Sequence, residues 1–364
     1  MLFFYFNNMH NIINDKSLVI GVMSGTSLDG IDISCAQYYI QNNKWNFKLV
    51  AYETFKYTEQ IKFNLLQAFN GEYQIDKIDI DFAFTIVSYI EIFIKKYDLQ
   101  VDLISSHGHT IFHDPNNGYT KQIGHGSVIA NKLNIPVVSD FRQQDIDFGG
   151  QGAPLVPIGD KFLFSDYASC LNLGGIANIS YTVNNNTYGY DICPCNMILN
   201  YLANKLNKDF DEFGKIASTG KIHLDLFNEL NNIDYYKLDI PKSIGKELVE
   251  KNFIPIIDSY KIDISDLLST LVEHIAFQIS NDFKRSGVTN SLLSGGGAFN
   301  TYLINRIDIL SKNQLIIPDD EIINFKEAIV FGFLGVLRIL NQNNCLASVT
   351  GACKDHSSGN IYIV

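Results

Sequence analysis

The sequence predicts two related α/β domains. Three observations carry that expectation. The chain has 364 residues, more than one hydrophobic core usually organises. Apolar runs of strand length alternate with stretches of helical periodicity. The pattern strand, glycine turn, strand occurs twice, in SLVIGVMSGTSLDGIDISCAQYYI at 17–40 and in CLNLGGIANISY at 170–181.

The elements follow in order. In the first hairpin Ile31, Ile33 and Cys35 alternate with Asp32 and Ser34, the period of a strand with one buried face. Ile75, Ile78, Phe82, Ile86, Ile90 and Phe93 recur at steps of three and four, which marks one face of a helix. A short strand over 101–106 runs into His107-Gly108-His109-Thr110, and another is expected over 135–138. Residues 140–157, DFRQQDIDFGGQGAPLVP, read as one long loop, and loops of that length are usually functional. The last third gives a helix over 264–283, a strand ending in Ser294-Gly295-Gly296-Gly297, and a helix over 326–340. The boundary is placed after residue 138, giving domains 1–138 and 139–364, with the extreme C-terminus free to return to the first.

Composition narrows the function. A hydrophobic fraction of 46% and a charged fraction of 18% fit a soluble globular protein. The net charge of −11 repels a polyanion, which argues against nucleic acid. A phosphorylated small ligand is still compatible, because backbone amides and a metal ion hold phosphate without many basic side chains. No apolar stretch reaches membrane-spanning length, so no membrane partner is expected. The start, MLFFYFNNMHNIINDK, lacks the basic region and cleavage site of a signal peptide. A cytoplasmic protein is expected, its first strand beginning near Ser17, with Met1 and Met9 as alternative starts. The six cysteines are scattered. Cys193-Pro194-Cys195 has one residue between the thiols where zinc and redox motifs have two, so buried thiols are the better reading.

Glycine loops point to phosphate. MSGTSLDG at 23–30 offers two glycines and three hydroxyls in one turn, where backbone N–H groups can approach an anion. It has no lysine, as a Walker loop would require, and a strand rather than a helix follows, unlike a Rossmann turn. Alone it would read as a plain hairpin. LNLGGIAN at 171–178 and LLSGGGAFN at 292–300 also follow apolar runs. Three such loops in this order match the phosphate, phosphate and adenosine segments of the actin-like fold, in which ATP lies between the domains. The expected fold is therefore a two-domain actin-like ATPase (ribonuclease H-like) α/β fold with an inter-domain cleft. The first loop, Gly21, Val22, Met23, Ser24, Gly25, Thr26, Ser27, Leu28, Asp29 and Gly30, is expected at the phosphates together with Gly174 and Gly175. Gly295, Gly296 and Gly297 are expected beside the adenosine.

At this point the chain resembles a family. GVMSGTSLDGID, SSHGHTIFHDP, SDFRQQDIDFGGQGAPLVP, LNLGGIANIS, GYDICPCN, PKSIGKE, SGGGAFN and VTGAC are similar, in order, to signatures of the anhydro-N-acetylmuramic acid kinases. The resemblance covers the chain from about Leu18 to its end. It implies ATP and Mg²⁺, a small sugar substrate from bacterial cell-wall recycling, and a homodimer as the candidate assembly. The implied reaction opens the 1,6-anhydro bond of 1,6-anhydro-N-acetylmuramic acid with water and phosphorylates O6.

The resemblance also assigns roles. Asp191 matches the base that activates the water; by itself it would read as a helix N-cap. Cys193 and Cys195 stand where glycines are usual, which raises the prospect of backbone strain beside the base. Asp29 matches a carboxylate that holds Mg²⁺ through water, where a turn aspartate is the bland alternative. Thr110 and Glu327 match positions that contact the sugar or organise the water, with Glu327 counted as catalytic. Arg142 matches a contact to the lactyl carboxylate or a phosphate. His109 replaces a usual glutamine, and His125 an asparagine. Gln122, Gly150, Gln151 and Asn178 complete the expected sugar site. PKSIGKE at 241–247 otherwise reads as a solvated charged loop. Two alternatives stand beside this reading: a kinase for another sugar, and a nucleotide-binding regulator without turnover, for which the cysteines beside the base are the reason.

Overall fold

The computed structural model describes residues 13–25, 28–71 and 74–364. Thr26 and Ser27 of the first loop, and both candidate starts, lie outside the described residues. The chain divides into two units, 1–164 with 325–364, and 165–324. Strands β1 (Val19–Ser24), β2 (Gly30–Gln41), β3 (Lys44–Lys56), β4 (Leu103–Asp114), β5 (Tyr119–Ile123) and β6 (Val137–Ser139) belong to the first unit. The second holds β7 (Ser169–Leu173), β8 (Ile176–Val183), β9 (Asn186–Pro194), β10 (Asn290–Ser294) and β11 (Gln314–Ile316), and β12 (Asn360–Tyr362) returns to the first.

The two sheets share one topology. In the first unit the path is β12-β6-β4-β1-β2-β3, with β5 paired to β4. β1, β2 and β3 are successively antiparallel, and β1, β4 and β6 run parallel. In the second the order is β11-β10-β7-β8-β9, with β7, β8 and β9 antiparallel and β7, β10 and β11 parallel. Over the five strands β6-β4-β1-β2-β3 and β11-β10-β7-β8-β9 this is the same ribonuclease H-like α/β pattern, as the paired hairpins in the sequence predict, with β5 and β12 added to the first sheet.

The boundary differs from the one after residue 138. β6 pairs in parallel with β4 and antiparallel with β12, so residues 137–139 lie inside the first sheet. Phe164 packs edge-on against Phe47 of β3, and Lys326 forms a buried ion pair with Asp160 at 2.7 Å. Those contacts draw 139–164 and the C-terminal segment into the first unit. The loop expected over 140–157 contains a short helix, Gln143–Asp147, and leads into a second, Pro157–Leu163. The helix expected over 326–340 begins earlier, at Asp320, and ends at Ile339.

Helix faces follow the periodicity. Ile75–Tyr97 buries Ile78, Phe82, Ile86, Ile90 and Phe93 against the first sheet. Ile264–Ser286 buries Leu268, Leu271, Val272, Ile275 and Ile279 in the second core and ends at Gly287, φ 71°. Glycine takes such a left-handed closing position at least cost.

The helix Asp320–Ile339 lies against the first sheet at backbone contact. A Cβ on Gly21 would meet the Ala328 carbonyl oxygen at 1.9 Å and the Gly332 nitrogen at 2.7 Å. Tyr38 donates to the Ile329 carbonyl at 2.6 Å and Ser105 to the Phe331 carbonyl at 2.5 Å. Both obstacles to a Cβ are backbone and cannot swing aside. Gly21→Ala should therefore cost about 1–3 kcal/mol or more by overpacking, read as a lower denaturation midpoint. A variant as stable as the parent would show that the helix can shift off the strand.

Candidate active site

The first unit gathers predicted residues at the ends of β1 and β4. The ladder between these strands slips: Val22 faces Ser106, but Ser24 faces His109. Gly108, at φ 70°, sits inside the slip, and an irregularity of this kind re-aims the side chains around it. Ser24 Oγ lies 2.7 Å from His109 Nδ1 and 2.5 Å from the Tyr57 hydroxyl. The last strand residue before the first glycine loop is thus held from two sides. Burial lowers the His109 pKa to about 4, so the imidazole is neutral at pH 7. Beyond it, Gln122 donates to Thr110 at 3.3 Å and to Thr120 at 2.8 Å.

Arg142 is braced by a residue with no expected role. His107 Nε2 accepts from Arg142 Nε at 3.0 Å and lies 2.8 Å from Nη2, while Arg142 Nη1 donates to the Gly152 carbonyl at 2.7 Å. A guanidinium only donates, so Nε2 must be the bare nitrogen, leaving Nδ1–H for the Gly108 carbonyl at 2.9 Å. Burial, and next the Arg142 charge, push the His107 pKa well down; burial also lowers that of Arg142 to about 10. The GGQG run folds around Asp145. Its Oδ2 accepts from the Gly152 N–H at 2.7 Å, and a Cβ on Gly150 would meet that oxygen at 2.2 Å. Gln151 is exposed, its N–H donating to the Thr350 carbonyl at 2.8 Å.

Carboxylates form an electrostatic series in the same unit. Glu327 is half-buried, and burial raises its pKa, opposed by Lys326 and reinforced by Asp32. Asp32 is itself raised by burial and by exposed Asp29, and lowered by the hydroxyl of Thr54, which donates at 2.6 Å. Oxygen donors whose like charges oppose one another fit the chemistry of a hard divalent cation.

In the second unit β7 and β10 are parallel neighbours, so their glycine loops emerge together. The absent Cβ of Gly295, φ 78°, would meet Asn172 Oδ1 at 2.3 Å, and that of Gly297 would meet the Leu173 Cβ at 2.7 Å. At Gly174, Gly175 and Gly296 a Cβ would make only ordinary van der Waals contact, with nearest atoms at 3.6, 3.8 and 3.9 Å. Bare backbone without a crowding neighbour fits the close approach of a flat ligand or a phosphate. The Gly174 carbonyl accepts from Asn196 N–H at 3.1 Å, and that of Gly175 from Cys195 at 2.9 Å and Met197 at 3.0 Å. The turn is thereby fixed to the start of the helix Asn196–Asn204.

Asp191 lies on β9 opposite Asn178, at a slip that leaves Ile192 unpaired. Its N–H donates to the Lys242 carbonyl at 3.0 Å, and its carbonyl accepts from Tyr235 at 2.7 Å. Its Oδ2 accepts from the Ile244 N–H at 2.8 Å. Burial raises the pKa to about 6, with the Ile244 bond pulling the other way. Asp191 caps no helix, since Cys195 occupies the N-cap of Asn196–Asn204. The turn does not hold Cys195 at positive φ: it has φ −126° and ψ −104°, a pair outside the α and β regions, and both thiols are packed in the second core. The PKSIG segment, which reads in sequence as a solvated loop, clasps Asp191 with two backbone bonds.

The structure thus places Ser24, His109, Thr110, Gln122, Arg142, Gly150 and Glu327 in the first unit. Asp191, Asn178 and the two later glycine loops lie in the second. Sequence reasoning misses His107, Tyr57, Asp32 and Tyr235. His107 and Asp32 had a signal, being strand neighbours of singled-out residues; Tyr57 and Tyr235 had none.

Residues 17–364 match the family model described as anhydro-N-acetylmuramic acid kinase. A protein of that name from Sulfurimonas denitrificans is 33% identical over 94% of this chain and 98% of its own length. Another from Sulfurovum sp. is 32% identical over 96% of this chain and 100% of its own. A third, from Crocosphaera subtropica, is 32% identical over 94% and 98%.

The glycines of the third loop make a stability contrast. Gly297→Val should unfold the protein at markedly lower temperature, because the Leu173 backbone oxygen, 2.8 Å from the new Cβ, cannot yield. Gly296→Val, with nothing nearer than 3.9 Å, should stay within about 1 kcal/mol of the parent, the scale of an intrinsic propensity change. Equal melting shifts for the two would remove the distinction.

Proposed function

The chain belongs to the anhydro-N-acetylmuramic acid kinase family, and from that premise we propose that it performs the family's reaction with Asp191 as the base. The substrate is 1,6-anhydro-N-acetylmuramic acid, and the products are N-acetylmuramic acid 6-phosphate and ADP. The observation that carries the reading is the state of Asp191. A carboxylate whose pKa is raised to about 6 by burial is ionised at pH 7 yet basic enough to take a proton from water.

The chemistry assigns the groups. An anhydro sugar has no free 6-hydroxyl to deprotonate. Water loses a proton to Asp191 and attacks the anomeric carbon, the bond from that carbon to O6 breaks, and O6 takes the γ-phosphoryl group of ATP. Two backbone bonds at Lys242 and Ile244 hold the base in place, which is what positioning requires. The bare backbone at Gly174, Gly175 and Gly296 supports a nucleotide there. In the first unit, Arg142 suits the lactyl carboxylate, presented in a fixed plane by His107. Thr110, Gln122 and neutral His109 suit sugar hydroxyls and the N-acetyl group. Asp29, with Asp32 behind it, would hold Mg²⁺, which supplies charge neutralisation for the phosphates. Use of ATP as co-substrate supports a cytoplasmic location for the reaction. The regulator alternative loses its reason, because the cysteines are accommodated as core residues.

Three measurements test this. Asp191→Asn keeps an oxygen for the Ile244 N–H but cannot take a proton, so turnover should fall at least about 100-fold while melting temperature and ATP affinity hold. A stable variant with parental turnover would remove Asp191 as base. The pH profile gives a second check: kcat/KM should fall as pH drops through about 6, where the raised Asp191 pKa lets the proton bind and the base is lost. A rate flat down to pH 5 would contradict it. Gly296→Val should also weaken ATP binding at least about tenfold, a loss of about 1.4 kcal/mol, read by calorimetry; unchanged affinity would move the nucleotide elsewhere.

A further inference from the structure

A second cluster of chemical groups lies in the first unit and takes no part in the reaction above. Asp145, Cys345 and His356 are all buried, and their carboxylate oxygen, sulfur and ring nitrogen lie within 4.8 Å of one another. Among the described residues this is the one group of three or more His, Cys, Asp and Glu side chains so arranged. The chain brings them together from far apart. Asp145 is in the helix Gln143–Asp147. Cys345 and His356 face each other across an antiparallel bridge, exchanging N–H to carbonyl bonds of 3.0 and 3.2 Å, which sets their side chains on one face.

The histidine shows what the cluster lacks. His356 Nδ1 lies 3.1 Å from the Lys354 carbonyl, which can only accept, so Nδ1 carries a hydrogen and Nε2 is the nitrogen available to a metal. His356 is 5% exposed, and Nε2 has no hydrogen-bond partner. It lies 3.6 Å from Asp145 Oδ1, too far for a hydrogen bond. That separation does suit two ligands of one ion. Tetrahedral bonds of about 2.0–2.3 Å place neighbouring ligand atoms about 3.3–3.8 Å apart. The carboxylate is also oriented from behind, Oδ1 accepting from the Thr350 hydroxyl and Oδ2 from the Gly152 N–H, both at 2.7 Å. Histidine bonded through its far nitrogen and carboxylate bonded by neighbours is the usual outer support of a metal site. The Arg142 guanidinium interacts with both Asp145 and Cys345 and opposes a cation. Binding would release the Cys345 thiol proton to solvent, and the resulting thiolate with the carboxylate carries the two negative charges that a divalent ion balances.

The geometry points to Asp145, Cys345 and His356 as a three-ligand site for a thiophilic divalent ion of the Zn²⁺ class. Sulfur, imidazole and carboxylate as a ligand set select such an ion over Mg²⁺. It would staple the 345–356 segment to the Asp145 helix, next to the Arg142 and GGQG segments.

The test uses the full chain, stripped of metal by chelator and desalted, with Co²⁺ as a coloured stand-in for Zn²⁺. Co²⁺ should give the intense visible bands of a tetrahedral thiolate complex, saturating at one ion per chain and displaced by Zn²⁺. Cys345→Ser should abolish the bands, and His356→Gln should weaken affinity at least about tenfold. Cys353→Ser, which removes an exposed thiol, should change neither. Absent bands in the parent, or bands that survive Cys345→Ser and vanish in Cys353→Ser, would overturn the assignment. Circular dichroism of each metal-free variant checks the fold. Should Cys345→Ser be unfolded, melting decides: Zn²⁺ should raise the melting temperature of the parent and not of His356→Gln. An equal rise in both would count against the site.

Discussion

The first unit depends on one steric condition, the contact of the helix Asp320–Ile339 with the strands beneath it. Three glycines meet that condition from both sides. Gly21 on β1 leaves room for the Ala328 carbonyl, Gly332 for the Tyr38 hydroxyl, which a Cβ there would meet at 2.4 Å, and Gly335 for Ser105. The approach lets Tyr38 and Ser105 donate to helix carbonyls, bonds that a wider spacing would not allow. It also fixes Glu327 relative to β2, whose Asp32 raises its pKa. Close packing of backbone on backbone is rigid because neither side can rotate away.

Four of the candidate residues share a second feature. They lie where ladders slip, Ser24 with His109 between β1 and β4, Thr110 between β4 and β5, and Asp191 between β8 and β9. A regular strand presents side chains alternately to two faces and gives no freedom to collect several groups at one place. An irregularity supplies that freedom at the cost of a ladder bond. The exposed polar groups are then recovered locally, by Gly108 for His107 and by Lys242 and Tyr235 for Asp191.

Charge is managed in the same local way. Both buried histidines of β4 are held neutral, His109 by burial and His107 by burial and a guanidinium that accepts nothing. Arg142 therefore donates to a neutral imidazole and a carbonyl that fix its plane, while Glu327, Cys345 and Asp145 favour its positive charge. Asp191 is desolvated without being paired to a cation, which is why its pKa rises instead of falling.

Much of this was legible in the sequence. The alternation of Ile31, Ile33 and Cys35, the helical period from Ile75 to Phe93 and the repeated glycine hairpins determined two like α/β units, because strand and helix periods are local properties of the chain. The motif residues from MSGTSLDG to SGGGAFN and the Asp191 segment were likewise visible, since loop chemistry depends on residue type and short spacing. Tertiary structure alone decided the rest. That Asp191 is a strand residue clasped by Lys242 and Ile244 depends on contacts more than fifty residues apart. That 139–164 belongs with the first sheet depends on β6 pairing with β4. Asp145, Cys345 and His356 have no common spacing to read, because two hundred residues separate the first from the second. Burial, pairing and proton affinity are set by what folds around a side chain, and that information is not local.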